Sequence, residues 1–387
     1  MTAARISDEQ RRRLLTVRHR LAPDRRAATP EEVADSLVAL HATDPASVYL
    51  SLAARLREPD LNAIDHALYR SGALTRLHAM RHTVFVFPGD VARNAYRSTA
   101  HNVASRERRA LAKLVEDNGL PLSIVDEARD AVLKALEKGP MTGAELVKTD
   151  AVLRTPLLSA RGKSYESRQS LGSRVVRSLG IEGVLVRGRP RGSWTGSLFT
   201  WMVGDEPGPQ DRAEAQAELA RHWLRSFGPG TEADLKWWTA WTVADTRKAL
   251  SSASAVPVEL GVGAGFALPE TLDALDDETP PSAALLPALD PTPMGWKERD
   301  WYLAEEVKAP LFDRNGNIGP TVWWDGAVVG GWAQRPDGEV VWRALADIGA
   351  EAEAAVASEA ERIAAFIGPE RITPRFRTPL EKELAKA

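Results

Sequence analysis

The sequence predicts a mainly α fold with small β-ribbons (α+β): three tandem winged-helix units followed by a β-rich C-terminal region. Three observations predict it. Short amphipathic helices end at Gly/Pro stops, as in "SIVDEARDAVLKALEKGP" and "EAQAELARHWLRSFGPG". Twice the order helix, short helix, helix, paired strands recurs, which is the winged-helix order. A later stretch, "TVWWDGAVVGGWAQRPDGEVVWRAL", carries two Asp-Gly hairpin signals between apolar and aromatic runs.

The elements follow in chain order. In unit 1 (residues 1–118), "TPEEVADSLVALH" opens a helix with Thr29 as cap, Pro30 in the first turn and Glu32 reaching back. Its apolar spacing carries the helix to His41, ahead of a stop at Pro45. "PASVYLSLAARL" and "NAIDHALYRSG" are further helices, and "TVFVF" reads as a strand. In unit 2 (119–206), "MTGAELVK" is the short helix and "SRQSLGSRVVRSLGIEG" the third, presenting Arg168, Arg174 and Arg177. The hairpin "GVLVRGRPRGSWTGSLFTWM" then forms a wing with a basic tip. In unit 3 (207–275), "TEADLKWWTA" and "TVADTRKALSS" are helices, with "VPVEL" and "GFALP" as wing strands. The acidic, Pro-rich link "TLDALDDETPPSAA" leads to the C-terminal domain (276–387), closed by the Ala/Glu helix "DIGAEAEAAVASEAERIAAFI".

Composition narrows the function. The 387 residues include no cysteine, so disulfides, thiolate zinc sites and thiol catalysis are excluded. No apolar run is long enough for a membrane span, and the N-terminus lacks a signal-peptide core, so a cytoplasmic protein is expected. The net charge is only −3, yet it is divided. Residues 1–200 carry 32 Lys+Arg against 22 Asp+Glu, a net of +10, and residues 151–200 alone carry 9 against 2. A basic first half points to a polyanionic partner. In "RGRPRGSW", Arg187, Arg189 and Arg191 are placed to meet phosphates, and Trp194 is the tryptophan best placed to act at the wing. No phosphate-binding loop or metal-ligand spacing is present, so no cofactor and no metal are expected; "DRNGN" at 313–317 reads as a turn.

One short segment concentrates chemistry. "HATDP" puts an imidazole, a hydroxyl and a carboxylate within four residues: His41, Thr43 and Asp44. In an extended segment residues i and i+2 point the same way, so His41 and Thr43 can converge on one atom. A helix end and a nearby Asp44 both favour imidazolium and would raise the pKa of His41. An ordinary helix end followed by a turn remains the other reading.

Six stretches in order carry a resemblance: "LVALHATDPASVYLSLAARL", "LHAMRHTVFVFP", "GVLVRGRPRGSWTGSLFTW", "LRSFGPGTEADLKWW", "LLPALDPTPMGWKERDWYL" and "LFDRNGNIGPTVWWDGAVVGGW". Together they resemble the AlkZ/YcaQ family of winged-helix DNA glycosylases. The resemblance implies winged helices curved around duplex DNA and hydrolysis of the N-glycosidic bond of alkylated purines. In some members it implies removal of bulky adducts or crosslinks left by natural-product genotoxins. It places His41-Ala42-Thr43 on the family's catalytic Gln-apolar-Gln triplet, whose last member is Asp in another branch. His41 would then hold a water, Thr43 would be its second partner, and Asp44 would supply negative charge. Arg81, within "LHAMRHTVFVFP", joins the arginines expected on DNA. The expected partner is duplex DNA carrying alkylated purines, with no membrane and no obligate protein partner. The alternative is a non-catalytic winged-helix DNA-binding protein or regulator.

Overall fold

Helix and strand contents of 48% and 19% give the expected α+β balance. The computed structural model describes residues 3–160, 162–164, 166–204, 208, 210–275 and 279–386. The boundary at 206/207 and part of the acidic link, 276–278, lie outside the described residues.

The chain begins with β1 (Ala4–Arg5) and α1 (Asp8–Arg18), the latter started by a Ser7–Gln10 capping box. α2 (Pro30–Leu37) has Thr29 as its cap, accepting from Glu32 N–H at 3.3 Å. Glu32 reaches back to Ala28 N–H at 3.1 Å. The sequence pattern carries this helix to His41, but it stops at Leu37. Val38 takes φ +62° and turns the chain into β2 (Leu40–His41). The apolar stripe that mimics a longer helix is buried by strand pairing instead: Leu40 sits opposite Val86 and His41 opposite Phe85.

Pro45 begins a helix rather than ending one. α3 (Pro45–Ala53) has Pro45 in its first turn, where the missing N–H costs nothing, and Asp44 as its cap. α4 (Leu61–Tyr69), β3 (Leu74–His78) and β4 (Val84–Pro88) follow, and the sheet runs β2-β4-β3. α5 (Gly89–Ala95) passes through a π turn at Tyr96–Ala100 into α6 (His101–Asp117) without leaving helical geometry.

α7 (Ser123–Leu136) and α8 (Gly143–Thr149) form the next pair, α8 under a Thr142–Glu145 capping box. β5 (Pro156–Ser159) and β6 (Ser167–Ser170) then form a ribbon ahead of α9 (Leu171–Glu182). This corrects the helix read from Ser167. Ser167 instead bonds Ser159 across the ribbon at 2.7 Å, and Ser170 caps α9, competing uses of serine that deny the helix its first turn. Arg168 therefore sits on a strand, opposite Leu158. β7 (Leu185–Pro190) and β8 (Phe199–Val203) form the basic hairpin. Gly180 lets α9 lie on this hairpin, since a Cβ there would come within 2.7 Å of the Trp201 ring.

α10 (Arg212–Phe227), α11 (Glu232–Thr239) and α12 (Val243–Ser252) precede the hairpin β9 (Val256–Leu260) and β10 (Gly263–Ala267). The N-terminal β1 pairs parallel with β9, tying the first residues to this hairpin. After the short α13 (Pro269–Asp273) come β11 (Ala283–Leu286), α14 (Glu305–Leu311), β12 (Thr321–Trp324), β13 (Ala327–Gln334) and β14 (Val340–Ala344). These four strands pair in sequence order as an antiparallel meander. At the first Asp-Gly turn Asp325 and Gly326 take φ +46° and +75°, the left-handed pair a tight hairpin requires. α15 (Gly349–Ile367) packs on the sheet, and α16 (Pro379–Leu384) follows it.

Two large cores result. One, built from Leu111 to Trp201, includes Val132, Leu146, Val175 and Leu185. The other joins Leu40, Trp223, Leu286 and Ile363, so residues from the first, third and C-terminal segments share one interior.

Candidate active site

A cleft of about 710 Å³ opens between these two bodies. One wall comes from α6, α9 and the basic hairpin, with Glu107, Arg177, Arg187 and Trp201. The other comes from the β2-β4-β3 sheet and its connections, with His41 and His78 on strands, Thr43 in the bend after β2 and Arg81 in the turn between β3 and β4. Met294, Asn317 and Phe376 also line it.

His41, the last residue of β2, and Thr43, in the bend that follows it, both line this cleft. His41 is only 9% exposed. Its ring lies 4.9 Å from Phe85, and its Nδ1 is closed off with no hydrogen-bond partner. That leaves Nε2 as the nitrogen able to meet a water in the cleft. Burial first, then the nearby Arg81 guanidinium, lowers the His41 pKa from 6.5 to about 3. The expected rise is thus reversed. The helix end that would favour imidazolium is absent, Asp44 points elsewhere, and the closest charge is positive. His41 is therefore a neutral imidazole at physiological pH.

Asp44 leaves the cluster. It is buried, and both carboxylate oxygens are taken by backbone N–H groups. Oδ1 accepts from Ala46 at 3.2 Å, capping α3, and Oδ2 accepts from Arg375 at 3.0 Å. Burial raises its pKa, while those two bonds and the Arg375 charge pull the other way. Asp44 anchors the C-terminal strap that carries Phe376 to the cleft.

Arg81 occupies a left-handed position, φ +53°, in a 3₁₀ turn. Its guanidinium lies 4.3 Å over the Trp237 ring, and Arg299 lies 5.0 Å from the same ring. Burial and then Arg299 lower its pKa to about 10. Of the basic residues on α9, Arg174 is held by Glu107 at 3.0 Å and is mostly covered, while Arg177 shares that carboxylate at 3.4 Å and faces the cleft. Arg168 is exposed on β6.

The wing is clamped to the body. Arg189 pairs with Asp65 of α4 at 2.7 Å and Arg191 with Glu145 of α8 at 2.8 Å. Both arginines remain more than half exposed, and such surface pairs are worth only about 0–1 kcal/mol, so a phosphate can displace the carboxylate. Trp194 corrects the sequence reading. It is 6% exposed and packs between Tyr49 at 5.2 Å and Phe366 at 5.6 Å, so it fastens the hairpin and presents no ring to a base. Only Arg187 of the wing set lines the cleft.

Sequence reasoning missed Arg76, Glu107, Arg375 and Phe376. Arg76 carries a readable signal, a charge between Leu74 and Leu77 in a short strand. The others are brought in from far along the chain. Among the described residues no group of three or more His, Asp or Glu is placed to hold a metal ion, and no helix is long and apolar enough to cross a membrane.

A cleft joining a basic hairpin, a basic helix and a neutral His–Thr pair fits a protein that acts on a polyanion. The family model described as "DNA glycosylase AlkZ-like" matches residues 34–366, and the chain belongs to that family; it is a DNA glycosylase. A solved structure titled "Streptomyces sahachiroi DNA glycosylase AlkZ" covers 96% of this chain and 99% of its own, at 24% identity and a TM-score of 0.71, which shows a shared fold. No curated protein matches.

Proposed function

We propose that this DNA glycosylase is monofunctional and hydrolyses the N-glycosidic bond of bulky N7-alkylated purines in duplex DNA, using a water held by His41 and Thr43. The observation that carries this is that a neutral imidazole, His41, and the Thr43 hydroxyl line one cleft. An N7-alkylated purine is cationic and leaves readily, so the protein need not supply a strong acid. It must put water at the anomeric carbon and tolerate the developing oxocarbenium ion. A His with a pKa of about 3 is a weak base but a sound hydrogen-bond acceptor, so its part is to aim the water's lone pair. The cationic purine leaves as a neutral base with the C–N electron pair, and once the C–O bond is advanced the water, by then a stronger acid than imidazolium, gives its proton to His41, which passes it to solvent.

With Asp44 turned away, the one carboxylate lining the cleft among the described residues is Glu107, held by two arginines. The counter-charge to the oxocarbenium ion thus comes mainly from the DNA's own phosphates. A cleft of about 710 Å³ falls in the range that accepts a drug-sized ligand, roughly 300–1,000 Å³, which supports a bulky adduct. Adducts of that size are what alkylating natural products leave, and the proposed role is self-resistance to one of them. The three helix-and-hairpin segments act as winged-helix units cradling the duplex. The test is incubation with adducted duplex followed by hot alkali. Strand breaks at the lesion after alkali, and none before it, are expected; no breaks with any bulky N7 adduct would overturn the reading.

A further inference from the structure

Three arginines without acidic partners lie close enough for Arg76 and Arg375 to act on the charge of Arg187, and Arg187 lines the cleft. Arg76 is on β3, two residues before His78 and therefore on the same face of the strand, and β3 packs beside β7, which carries Arg187. Arg375 comes from the strap that Asp44 anchors. Arg76 is only 7% exposed, and its Nε and Nη2 are buried without a hydrogen-bond partner. The Nε of Arg187 is likewise unpartnered. Among the described residues no carboxylate lies within 4.0 Å of any of the three guanidiniums. The neighbouring acids are committed elsewhere: Asp65 to Arg189 and Tyr49, Asp44 to two backbone N–H groups.

Buried cations are ordinarily paired. Here Arg76 is buried and Arg187 partly buried, and both face like charge. Arg187 is held to a pKa of about 10 first by burial, then by Arg76 and Arg375. What holds the guanidiniums is aromatic: Arg187 lies 4.1 Å over Phe199, and Arg76 lies 5.5 Å from the Tyr69 ring. Stacking uses the guanidinium face and leaves the in-plane N–H donors free. Free donors from several guanidiniums match the oxygens of one tetrahedral phosphate.

We propose that Arg76, Arg187 and Arg375 form a single-phosphate pocket that grips one phosphodiester beside the nucleotide being hydrolysed. This rests on the glycosylase reading of the cleft. The anion supplied by the DNA completes an otherwise unpaired cluster, fixes the register of the strand against His41 and Thr43, and brings negative charge close to the developing oxocarbenium ion.

The experiment has two arms, and the first does not depend on catalysis. Affinity for undamaged duplex is measured against salt for the parent and for the triple variant Arg76→Gln/Arg187→Gln/Arg375→Gln. One shared phosphate predicts that the log–log slope falls by about 0.9, whereas three separate contacts would remove roughly 2.7. In the second arm, single neutral methylphosphonate linkages are scanned along an adducted duplex under single-turnover conditions. One linkage adjacent to the lesion should slow the parent by about 10- to 100-fold, the loss of one charged contact, and cost the triple variant nothing further. Arg375→Gln, an exposed side chain, replaces the triple variant if that fails to fold, and should blunt the interference at the same linkage. An unchanged slope, a loss near 2.7, interference only at distant linkages, or losses that multiply would overturn the pocket. Absence of base release by the parent would sink the glycosylase mechanism while the salt arm still reads the pocket.

Discussion

Replacing Asp44 separates two accounts of the HATD segment. The structure gives its carboxylate two bonds, to Ala46 N–H at 3.2 Å and to Arg375 N–H at 3.0 Å, and no place on the cleft wall. Asp44→Ala removes both. Loss of the helix cap costs about 0.5–2 kcal/mol. Loss of a charged acceptor from a backbone N–H costs about 1.5–3 kcal/mol. Together they predict destabilisation of roughly 2–5 kcal/mol. Asp44→Asn keeps a good cap at Ala46 but turns an amide donor or nothing toward Arg375 N–H, so about 1–3 kcal/mol is expected. Urea denaturation run beside single-turnover base release reads both quantities. Folded Asp44→Asn should release base within about tenfold of the parent, a barrier change near 1.4 kcal/mol. Parental stability with a rate loss beyond about 100-fold would refute the reasoning and return the carboxylate to the chemistry.

Further outcomes follow from the same contacts. Because the His41 pKa is lowered to about 3, the neutral form persists well below 6.5, and base release should show no His inflection between about pH 5 and 8; an inflection near 6.5 that His41→Gln abolishes would contradict this. His41 and His19 are both buried neutral with pKa values near 3. The unfolded chain takes up protons first, so stability should fall as pH drops from about 6.5 toward 3, by up to roughly 4–5 kcal/mol per ring in denaturation midpoints. Trp194→Ala should destabilise by about 3–5 kcal/mol while leaving the salt slope of duplex binding unchanged; a lowered slope would put the indole at the DNA. Full activity in a chelator and no borohydride-trapped adduct are expected of a water nucleophile.

Much of this architecture was written locally. The capped helix starts at Thr29, Thr142 and Thr231, and the left-handed Asp325-Gly326 turn, follow from residues within a few positions of one another. The errors arose where tertiary contacts overrode local preference. α2 looked longer because Leu40 is apolar at helical spacing, but its burial comes from β4. Ser167–Ser170 looked like a helix start, but serines serve ribbons and caps equally well. Trp194 looked like a wing-tip contact because nothing near it in sequence announces Tyr49 or Phe366. At the site, a common exposure of His41 and Thr43 to one cleft is what the i, i+2 spacing before Pro45 suggests, and both residues line it. The fate of Asp44 and the charge state of His41 were not legible, since they depend on Arg375, Arg81 and burial, all set by segments distant in the chain.

The account stands most directly on His41. Single-turnover release of an N7-alkylated purine from duplex should fall by about 100-fold or more in His41→Ala, with DNA affinity within a few-fold of the parent. Thr43→Ala, which loses only one orienting hydroxyl, should cost up to roughly tenfold. Base release by His41→Ala at the parental rate would contradict the account: His41 and Thr43 would then be wall residues of a cleft whose water is held elsewhere.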